Sequence, residues 1–506
     1  MSNALKSLSI VLISLIAFWI LLPLGVVGVG NYFMPYTVQI PKPLGILITV
    51  SGFLFAMISS LYFMVDGGGF PISFYKPPKK LVGCGPYSMC RHPIYLGFLI
   101  YLLGISFIKS SLGSITASLI FSIFTILWAV FFEERKLLEK FGGKYEKYRE
   151  EVPAFMPRFP KRFESCPTLL FLTLYVIGHL IVPFVWRIKV EKNCDVPEEG
   201  VIFVSNHVTF LDFALLIYAV KRFMNFPVSY IQYMWNEWFF RTVGTFPIKR
   251  HEVDVGAIRK TLKIISDGGR IGIFPESERS WDGRFLGFKK GVEKLLERAP
   301  KPLIGVRIEK FHLLFPRWSG FFHRGRIEVV MKCFESVREL EKFLEPPSVD
   351  PDDVYKDYRG IERYIYLCPE CGTVASIRST KDTIFCEKCG FHMKRPTVGE
   401  LWKVHDEIRK RIPLHITDKV EELDSLGKKP VKEVIMRFER DRILVGEREI
   451  PVTEIKSVLL EGRDKIFLFT GEEILGFRLK RTSILMWKEL IEDITRLKRS
   501  RPERSD

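Results

Sequence analysis

The chain has 506 residues, enough for several domains, and a formal net charge of +17, which favours anionic partners such as phosphate-bearing substrates, nucleic acid or a membrane surface. Long stretches without a charged side chain exclude an entirely water-soluble protein: residues 7–41, 43–65, 110–132 and 165–186. Nine cysteines, an odd number with four of them clustered, argue against a disulfide framework and for a reducing compartment.

The N-terminal apolar stretches, together with a shorter run at 93–108, predict about four transmembrane spans. The first stretch is too long for a signal peptide and lacks a cleavage site. Lysine and arginine are abundant after the second and fourth spans and sparse in the other loops. Because these residues accumulate on the cytoplasmic side, we expect a multi-pass protein of the cell membrane whose later domains are cytoplasmic.

Residues 165–186 form a fifth apolar stretch, and the sequence leaves its topology open. Basic residues flank it on both sides, which favours a hairpin or an in-plane segment that returns to the side it came from. A true span would instead place everything from Arg187 onward outside the cell.

Two polar sequences lie where the third span begins and the fourth ends. Residues 85–97 read GPYSMCRHPIYLG, and residues 133–157 read EERKLLEKFGGKYEKYREEVPAFMP. Charged groups at a membrane are costly, so such a cluster indicates function, although snorkelling charges and anchoring tyrosines explain it equally well. The combined pattern resembles the isoprenylcysteine carboxyl methyltransferase and phospholipid methyltransferase superfamily, over about residues 40–160. The resemblance implies an S-adenosylmethionine site formed by Arg91, His92, Tyr95, Glu133, Glu134, Tyr145 and Tyr148.

From about residue 193 the pattern alternates short strands with helices, which predicts a largely parallel sheet with its site at the strand ends. The strand VIFVS precedes NHVTFLD, and RIGI precedes FPESERS, so two polar motifs should meet at one edge. We expect Ser205 or Asn206 to cap the next helix and leave His207 at its mouth. Asp212 could then accept a proton from one ring nitrogen, while the other deprotonates a substrate hydroxyl. Alone, this pair is a weak pattern, and a histidine at a helix end without a task fits equally well.

Four further blocks follow in order: GTFPIKR (244–250), FPESERS (274–280), FLGFKKG (285–291) and PLIGV (302–306). With the histidine motif they resemble the glycerolipid acyltransferase family of the lysophosphatidic acid type, over about residues 165–310. The resemblance implies that His207 is the general base and that Asp212 orients it. The acceptor hydroxyl would attack the thioester of acyl-CoA or an acyl carrier protein. Substrate-binding positions would be Lys249, Arg250, Glu276, Arg279 and Lys289.

The chain departs from that family after Glu276, where Ser277-Glu278 replaces the usual Gly-Thr. A carboxylate beside a phosphate pocket is unfavourable unless Lys289 or Lys290 offsets it. The acceptor is therefore open, including a different head group or one without a phosphomonoester.

Two CxxC pairs separated by 14 residues predict a structural zinc ribbon with ligands Cys368, Cys371, Cys386 and Cys389. Few aromatic side chains surround the pairs, so nucleic-acid binding is disfavoured. The remaining cysteines (84, 90, 166, 194 and 333) are predicted to be isolated thiols.

From about Lys432, short antiparallel strands and a closing helix resemble, in pattern only, a pleckstrin-homology or GRAM-type module. Such modules bind phosphoinositides or proteins, and the basic end (Lys498, Arg499, Arg501) suits an anionic membrane. The alternative is that Trp487, Leu490 and Ile494 are the core face of a capping helix, and this is the favoured interpretation of those three residues.

The predicted fold class is therefore multidomain. The domains are a transmembrane methyltransferase-like domain (1–160), a membrane-associated α/β acyltransferase domain (161–345), a zinc ribbon (363–395), a helical connector (396–430) and a mainly-β domain with a closing helix (431–506). We expect a membrane-bound enzyme that moves an acyl chain to the hydroxyl of a (lyso)glycerophospholipid-type acceptor, with a second, S-adenosylmethionine-dependent reaction. Three alternatives stay open: spans that serve only as an anchor, a lipid methyltransferase whose acyltransferase-like domain binds lipid, and a lipid-binding scaffold without chemistry.

Overall fold

The computed structural model describes residues 13, 15–69, 78–158, 166–249, 254–289, 291–424, 427–471 and 473–500. The chain is multidomain and divides into two compact units, Met1–Thr173 and Leu174–Asp506.

The first unit contains four apolar helices, followed by a short helix α5 (Gly143–Glu151). The four are α1 (Ala17–Phe33), α2 (Lys42–Val65), α3 (Pro93–Lys109) and α4 (Leu112–Phe141). Within the described residues, only α2 and α4 are long and apolar enough to cross a membrane. These two helices support association with a membrane, while the number of about four spans stays a prediction.

Glycines allow α2 and α3 to pack closely. A Cβ on Gly52 would lie 2.3 Å from the backbone nitrogen of Tyr101, and one on Gly104 would lie 2.4 Å from that of Thr49. Small residues at such contacts are typical of helices that associate in membranes. A single π-helical turn, Ala129–Glu133, interrupts α4 near its end. Such turns are frequent at functional sites.

The second unit begins in α6 (Leu169–Val185) and continues into an α/β domain. Helix α6 has 17 residues, fewer than the about 20 that a straight span needs, so its topology stays open. The strands are β1 (Trp186–Lys192), β2 (Val201–Ser205), β3 (Phe226–Ser229), β4 (Thr245–Ile248), β5 (Arg270–Ile273), β6 (Leu303–Glu309) and β7 (Gly325–Phe334). The helices are α7 (Asp212–Val220), α8 (Tyr230–Trp235), α9 (Glu237–Thr242), α10 (Val255–Ser266), α11 (Val292–Arg298), α12 (Phe311–Leu314) and α13 (Val337–Leu344).

The main sheet has the order β1-β7-β6-β2-β5, and β3 pairs with β4 in a separate two-stranded sheet. All neighbours in the main sheet are parallel except β6 and β7. Every residue of β2 is buried, as expected for a central parallel strand covered on both faces. The chain leaves β2 and β5 at the same sheet edge, which brings the loops after them together.

The last part of the second unit forms one continuous core with the ribbon. The ribbon strands are β8 (Ile377–Ser379), β9 (Thr383–Cys386) and β10 (His392–Lys394), and α14 (Val398–Arg409) follows. An antiparallel seven-stranded sheet comes next: β11 (His415–Leu423), β12 (Pro430–Glu439), β13 (Arg442–Val445), β14 (Arg448–Pro451), β15 (Ser457–Glu461), β16 (Lys465–Phe469) and β17 (Ile474–Leu479). The expectation that residues 396–430 are a helical connector was wrong for 415–423, because β11 pairs with both β12 and β17.

Helix α15 (Ile484–Ser500) closes the C-terminal sheet. Trp487 and Leu490 are buried, and Ile494 packs against the same core. The prediction that these residues form the core face of a capping helix is confirmed. Of the basic end, Arg501 and the side chains of Lys498 and Arg499 lie outside the described residues.

Two disulfides contradict the expectation of isolated thiols and of a chain without disulfides. Cys84 is bonded to Cys166, and Cys194 to Cys333. The partners are 82 and 139 residues apart, so their spacing carried no signal. The second pair meets because Cys194 follows β1 and Cys333 lies in β7, the strand beside it. Cys90 remains a buried thiol.

Candidate functional site

A buried carboxylate holds the imidazole of His207. His207 Nδ1 lies 2.8 Å from Asp212 Oδ2, and the Asp212 side chain is fully buried. The same carboxylate accepts the backbone N–H groups of Val208 at 2.6 Å and Thr209 at 2.9 Å. The Thr209 hydroxyl donates to Oδ1 at 2.7 Å. These donors fix the orientation of the carboxylate.

The expected cap at Ser205 or Asn206 was wrong. Helix α7 begins only at Asp212, and no side chain caps it. Asn206 instead exchanges hydrogen bonds with the backbone of Ile308 on β6, through its Nδ2 at 3.0 Å and its Oδ1 at 2.8 Å. The buried amide is satisfied by the neighbouring strand, so the chain turns in a loop before the helix. His207 and Asp212 meet because that loop folds back.

The loop after β5 supports the histidine from the other side. The ring of Phe274 stacks on His207, with centroids 4.3 Å apart, and Ser280 donates its backbone N–H to the His207 carbonyl at 2.8 Å. The His207 side chain is 15% exposed. With Nδ1 held by Asp212, a substrate proton would be taken by Nε2.

Glu276 connects three segments of the site without facing solvent. Its carboxylate accepts the backbone N–H of His207 at 2.6 Å and that of Leu286 at 2.9 Å. Burial raises the pKa of Glu276 to about 8, although the two N–H donors act to lower it. We therefore interpret Glu276, predicted to bind substrate, as a residue that positions the loops around the dyad.

The predicted cationic residues that the structure describes differ in their burial. Arg279 is half-buried and lines a cavity together with Thr209 and Phe210, directly beside the dyad loop. Lys249 and Lys289 are exposed, and the backbone N–H of Lys289 donates to the Pro275 carbonyl at 3.1 Å. Arg250 and Lys290 lie outside the described residues.

Glu278, the residue that departs from the family pattern, is neutralised by cations that the sequence did not single out. Arg317 donates to its Oε1 at 2.9 Å, and Lys488 on α15 pairs with its Oε2. Burial opposes ionisation, but Lys488 and Arg317 outweigh it and lower the pKa of Glu278 to about 2. Lys289, one of the two lysines that the sequence offered as a counter-charge, is not one of these partners, which both come from later in the chain. The unusual carboxylate of the motif was the only feature of the sequence that indicated the need for such cations.

Replacing Glu278 with glutamine is expected to lower the free energy of unfolding at pH 7 by about 3–5 kcal/mol, because two buried cations lose their carboxylate. The folded-state pKa is depressed, so this stabilisation is present above the unfolded pKa of about 4.5 and is lost as pH falls towards about 2. Denaturant unfolding across pH would measure the gap between native chain and variant. Glu433→Gln, which removes an exposed surface pair, is the control. Equal stabilities of the native chain and Glu278→Gln at pH 7 would contradict the prediction.

The predicted methyltransferase residues also meet, at the ends of α3, α4 and α5 in the first unit. Glu134 is buried, and its Oε1 lies 2.9 Å from Arg91 Nε and 3.1 Å from His92 Nε2. The Arg91 guanidinium also donates to the carbonyl of Val152 at 2.6 Å. The ring of His92 stacks on Phe155 at 5.2 Å. This network fixes the loop before α3 against the chain that follows α5.

Glu133 Oε2 and Tyr145 Oη are buried and have no hydrogen-bond partner among the described residues, and Glu133 Oε2 lies 4.0 Å from His92 Nδ1. Tyr148 lies beside Tyr145 and donates to the Tyr87 carbonyl at 2.6 Å. Tyr95 lies beside His92, with ring centroids 6.0 Å apart. Buried polar atoms usually find partners, so an orphaned carboxylate oxygen and hydroxyl fit a ligand that offers a cation or donors.

The four ribbon cysteines converge on a point. Their sulfurs all lie within 4.8 Å of one another, with Cys368 and Cys389 at 3.5 Å and Cys371 and Cys386 at 3.8 Å. A tetrahedral zinc with bonds of about 2.3 Å would place its sulfurs about 3.8 Å apart, so the four residues fit a zinc ion.

Comparison with known families gives three matches. Residues 187–309 match the model described as Acyltransferase, and residues 41–144 match Phospholipid methyltransferase. Residues 361–393 match a zinc ribbon described as the 7 kDa subunit of DNA-directed RNA polymerase. These matches confirm both family resemblances, and with the four cysteines the third points to zinc.

Individual relatives match the same regions. A chloroplastic 1-acyl-sn-glycerol-3-phosphate acyltransferase of Arabidopsis thaliana is 26% identical over 30% of this chain and 44% of its own length. A protein-S-isoprenylcysteine O-methyltransferase of Schizosaccharomyces pombe is 40% identical over 16% of this chain and 34% of its own. The crystal structure of a 1-acyl-sn-glycerophosphate acyltransferase from Thermotoga maritima is 22% identical with a TM-score of 0.29, covering 45% of this chain and 90% of that one. The chain spans less than half the length of each of the two curated relatives, the Arabidopsis thaliana acyltransferase and the Schizosaccharomyces pombe methyltransferase.

Proposed function

We propose that this chain, which contains an acyltransferase-family domain and a phospholipid-methyltransferase-family domain, is a membrane-bound acyltransferase that acts on a (lyso)glycerophospholipid-type acceptor. The observation that carries the proposal is the hydrogen bond between His207 and the buried carboxylate of Asp212, inside the matched region. The proposed specific activity is that of a 1-acylglycerol-3-phosphate O-acyltransferase.

In the proposed reaction, Nε2 of His207 takes the proton of the acceptor hydroxyl as its oxygen attacks the thioester carbonyl. The carbon–sulfur bond then breaks, and the proton passes from His207 to the leaving thiolate. Asp212 holds Nδ1–H and stabilises the imidazolium that forms in between. The donor is acyl-CoA or an acyl carrier protein, and the acceptor's phosphate is held by the cationic positions Lys249, Arg250, Arg279 and Lys289.

Purified full-length protein in lipid, given radiolabelled acyl-CoA or acyl carrier protein and a panel of lysolipids and neutral monoacylglycerol, tests the proposal. We expect a labelled diacyl product with at least one acceptor, and none with His207→Ala. No product with any combination would refute the proposal.

A second, adenosylmethionine-dependent activity is favoured by the orphaned buried atoms of Glu133 and Tyr145. When bound, S-adenosylmethionine would supply an electrophilic methyl group. The proposed binding residues are Arg91, His92, Tyr95, Glu133, Glu134, Tyr145 and Tyr148. Carboxylates and tyrosine rings suit a cationic, amine-bearing ligand, and the Arg91–His92–Glu134 network would hold this surface in place.

Replacing Glu133 with glutamine is expected to weaken S-adenosylmethionine binding about tenfold, because a charge-assisted hydrogen bond is lost. Titration calorimetry on the full chain would measure the dissociation constant independently of turnover. Glu139→Gln is the control, since Glu139 is exposed on the same helix. Equal affinity for the native chain and Glu133→Gln would contradict the assignment of Glu133.

The location of the domains completes the proposal. We place the acyltransferase domain, the ribbon and the C-terminal domain on the cytoplasmic side of about four spans, with a structural zinc in the ribbon. The C-terminal domain is proposed to have a pleckstrin-homology-like fold and to contact anionic lipid. The domain limits are proposed as in the sequence analysis, except that residues 415–423 belong to the C-terminal β domain.

A further inference from the structure

A cavity of about 260 Å³ lies between the dyad loop and the C-terminal sheet. One wall contains Thr209 and Phe210 from the dyad loop and Arg279 from the loop after β5. The opposite wall is the turn between β15 and β16, with Glu461, Gly462 and Arg463. The C-terminal sheet therefore borders a cavity that two residues of the dyad loop also line.

Direct bonds hold this turn against the acyltransferase domain. Gln232 Nε2 on α8 donates to Glu461 Oε2 at 2.6 Å. Arg317 donates to the carbonyl of Leu460 at 3.3 Å and to that of Arg279 at 2.6 Å. One guanidinium thus joins the turn to the loop that carries Arg279.

The buried Glu278–Lys488 pair adds a second connection, from α15 to the same loop. Glu278 is 8% exposed, and its two cations come from outside the motif that contains it. This pairing explains why the chain retains a carboxylate where the family has a small neutral residue. The carboxylate anchors the C-terminal domain, and the neighbouring Arg279 lines the cavity.

Arg463 adds a cation to the far wall. Its side chain is exposed, and no described residue gives its guanidinium a hydrogen bond or an ion pair. A Cβ on Gly320 would lie 2.6 Å from Arg463 Nη1, so the guanidinium lies close against the backbone of Gly320. Gly320 lines the same cavity.

We infer that the turn between β15 and β16 forms part of the acyl-acceptor site, where Arg463 and Arg279 bind an anionic head group from opposite walls. Paired guanidiniums suit a phosphate, which accepts hydrogen bonds from two directions. A space of about 260 Å³ lies just below the range that encloses a drug-sized ligand, which suits a group as small as a glycerophosphate head group. The inference rests on the proposed function.

The test measures kcat and KM for full-length Arg463→Ala in lipid, with lysophosphatidic acid, monoacylglycerol and acyl-CoA varied in turn. We expect the KM for lysophosphatidic acid to rise about tenfold, the loss of one charge-assisted contact. The KM for acyl-CoA, the KM for uncharged monoacylglycerol and kcat should change less than about twofold. Arg442→Ala is the control, because Arg442 is an exposed arginine of the same sheet outside the cavity.

Two outcomes would overturn the inference. One is an unchanged KM for lysophosphatidic acid, and the other is a change in the KM for acyl-CoA, which would assign the cavity to the donor.

A parallel binding measurement separates the failure of this inference from the failure of the proposed function. Binding of lysophosphatidic acid to His207→Ala, with and without Arg463→Ala, needs no turnover. An active native chain with unchanged Arg463→Ala refutes only the inference, whereas an inactive native chain refutes the proposed function.

Discussion

Replacing Asp212 with asparagine is expected to lower kcat for acyl transfer about a thousandfold while the fold is retained. An asparagine oxygen can still accept the backbone N–H groups of Val208 and Thr209, so the loop keeps its bonds. The lost charge is the one that stabilises the imidazolium of His207 during proton transfer. The KM for the acceptor should change little, since Asp212 is buried behind the histidine.

Steady-state kinetics and thermal unfolding of the same preparation would measure both parts of this result. Asp418→Asn is the matched control, because Asp418 is a buried carboxylate in the C-terminal sheet that accepts the backbone N–H groups of Arg481 and Thr482. A kcat for Asp212→Asn within tenfold of the native value, with an unchanged melting temperature, would show that the charge of Asp212 is not used.

The sequence predicted those features that depend on residues close to one another along the chain. The four cysteines form two short pairs, and a closed tetrahedral site follows from their spacing. His207 and Asp212 share one loop after a buried strand, so the contact between them required only a turn. Two of the family motifs, NHVTFLD and FPESERS, likewise lie directly after the strands β2 and β5.

The features that it missed depend on partners far along the chain. Asn206 satisfies its amide on Ile308, 102 residues away, and not on the helix that follows it. Glu278 is paired with Lys488, which lies 210 residues away in the C-terminal domain. No sequence motif indicates that this domain contacts the acyltransferase domain. Long-range pairing of this kind is set by tertiary packing, which neither propensity nor periodicity encodes.

Two further long-range contacts are made by tyrosines at the start of the zinc ribbon. Tyr364, four residues before Cys368, donates to Asp282 Oδ2 at 2.8 Å, in the segment that follows the FPESERS loop. Tyr366 donates to Glu489 Oε2 on α15 at 2.6 Å. Both tyrosines and Cys368 belong to one core with Trp487. The ribbon therefore joins the acyltransferase loop to the helix that carries Lys488.

Removing the zinc is expected to lower the melting temperature of the chain by about 10 °C or more and to reduce acyl transfer with it, because binding to a structural site is folding free energy. Metal analysis should find one zinc per native chain and less in Cys368→Ser. Cys90→Ala, which removes a buried thiol outside the ribbon without burying a new polar group, should keep the metal. If a zinc-free chain kept its melting temperature and its rate of acyl transfer, the ribbon would not be the element that holds the site and the C-terminal domain together.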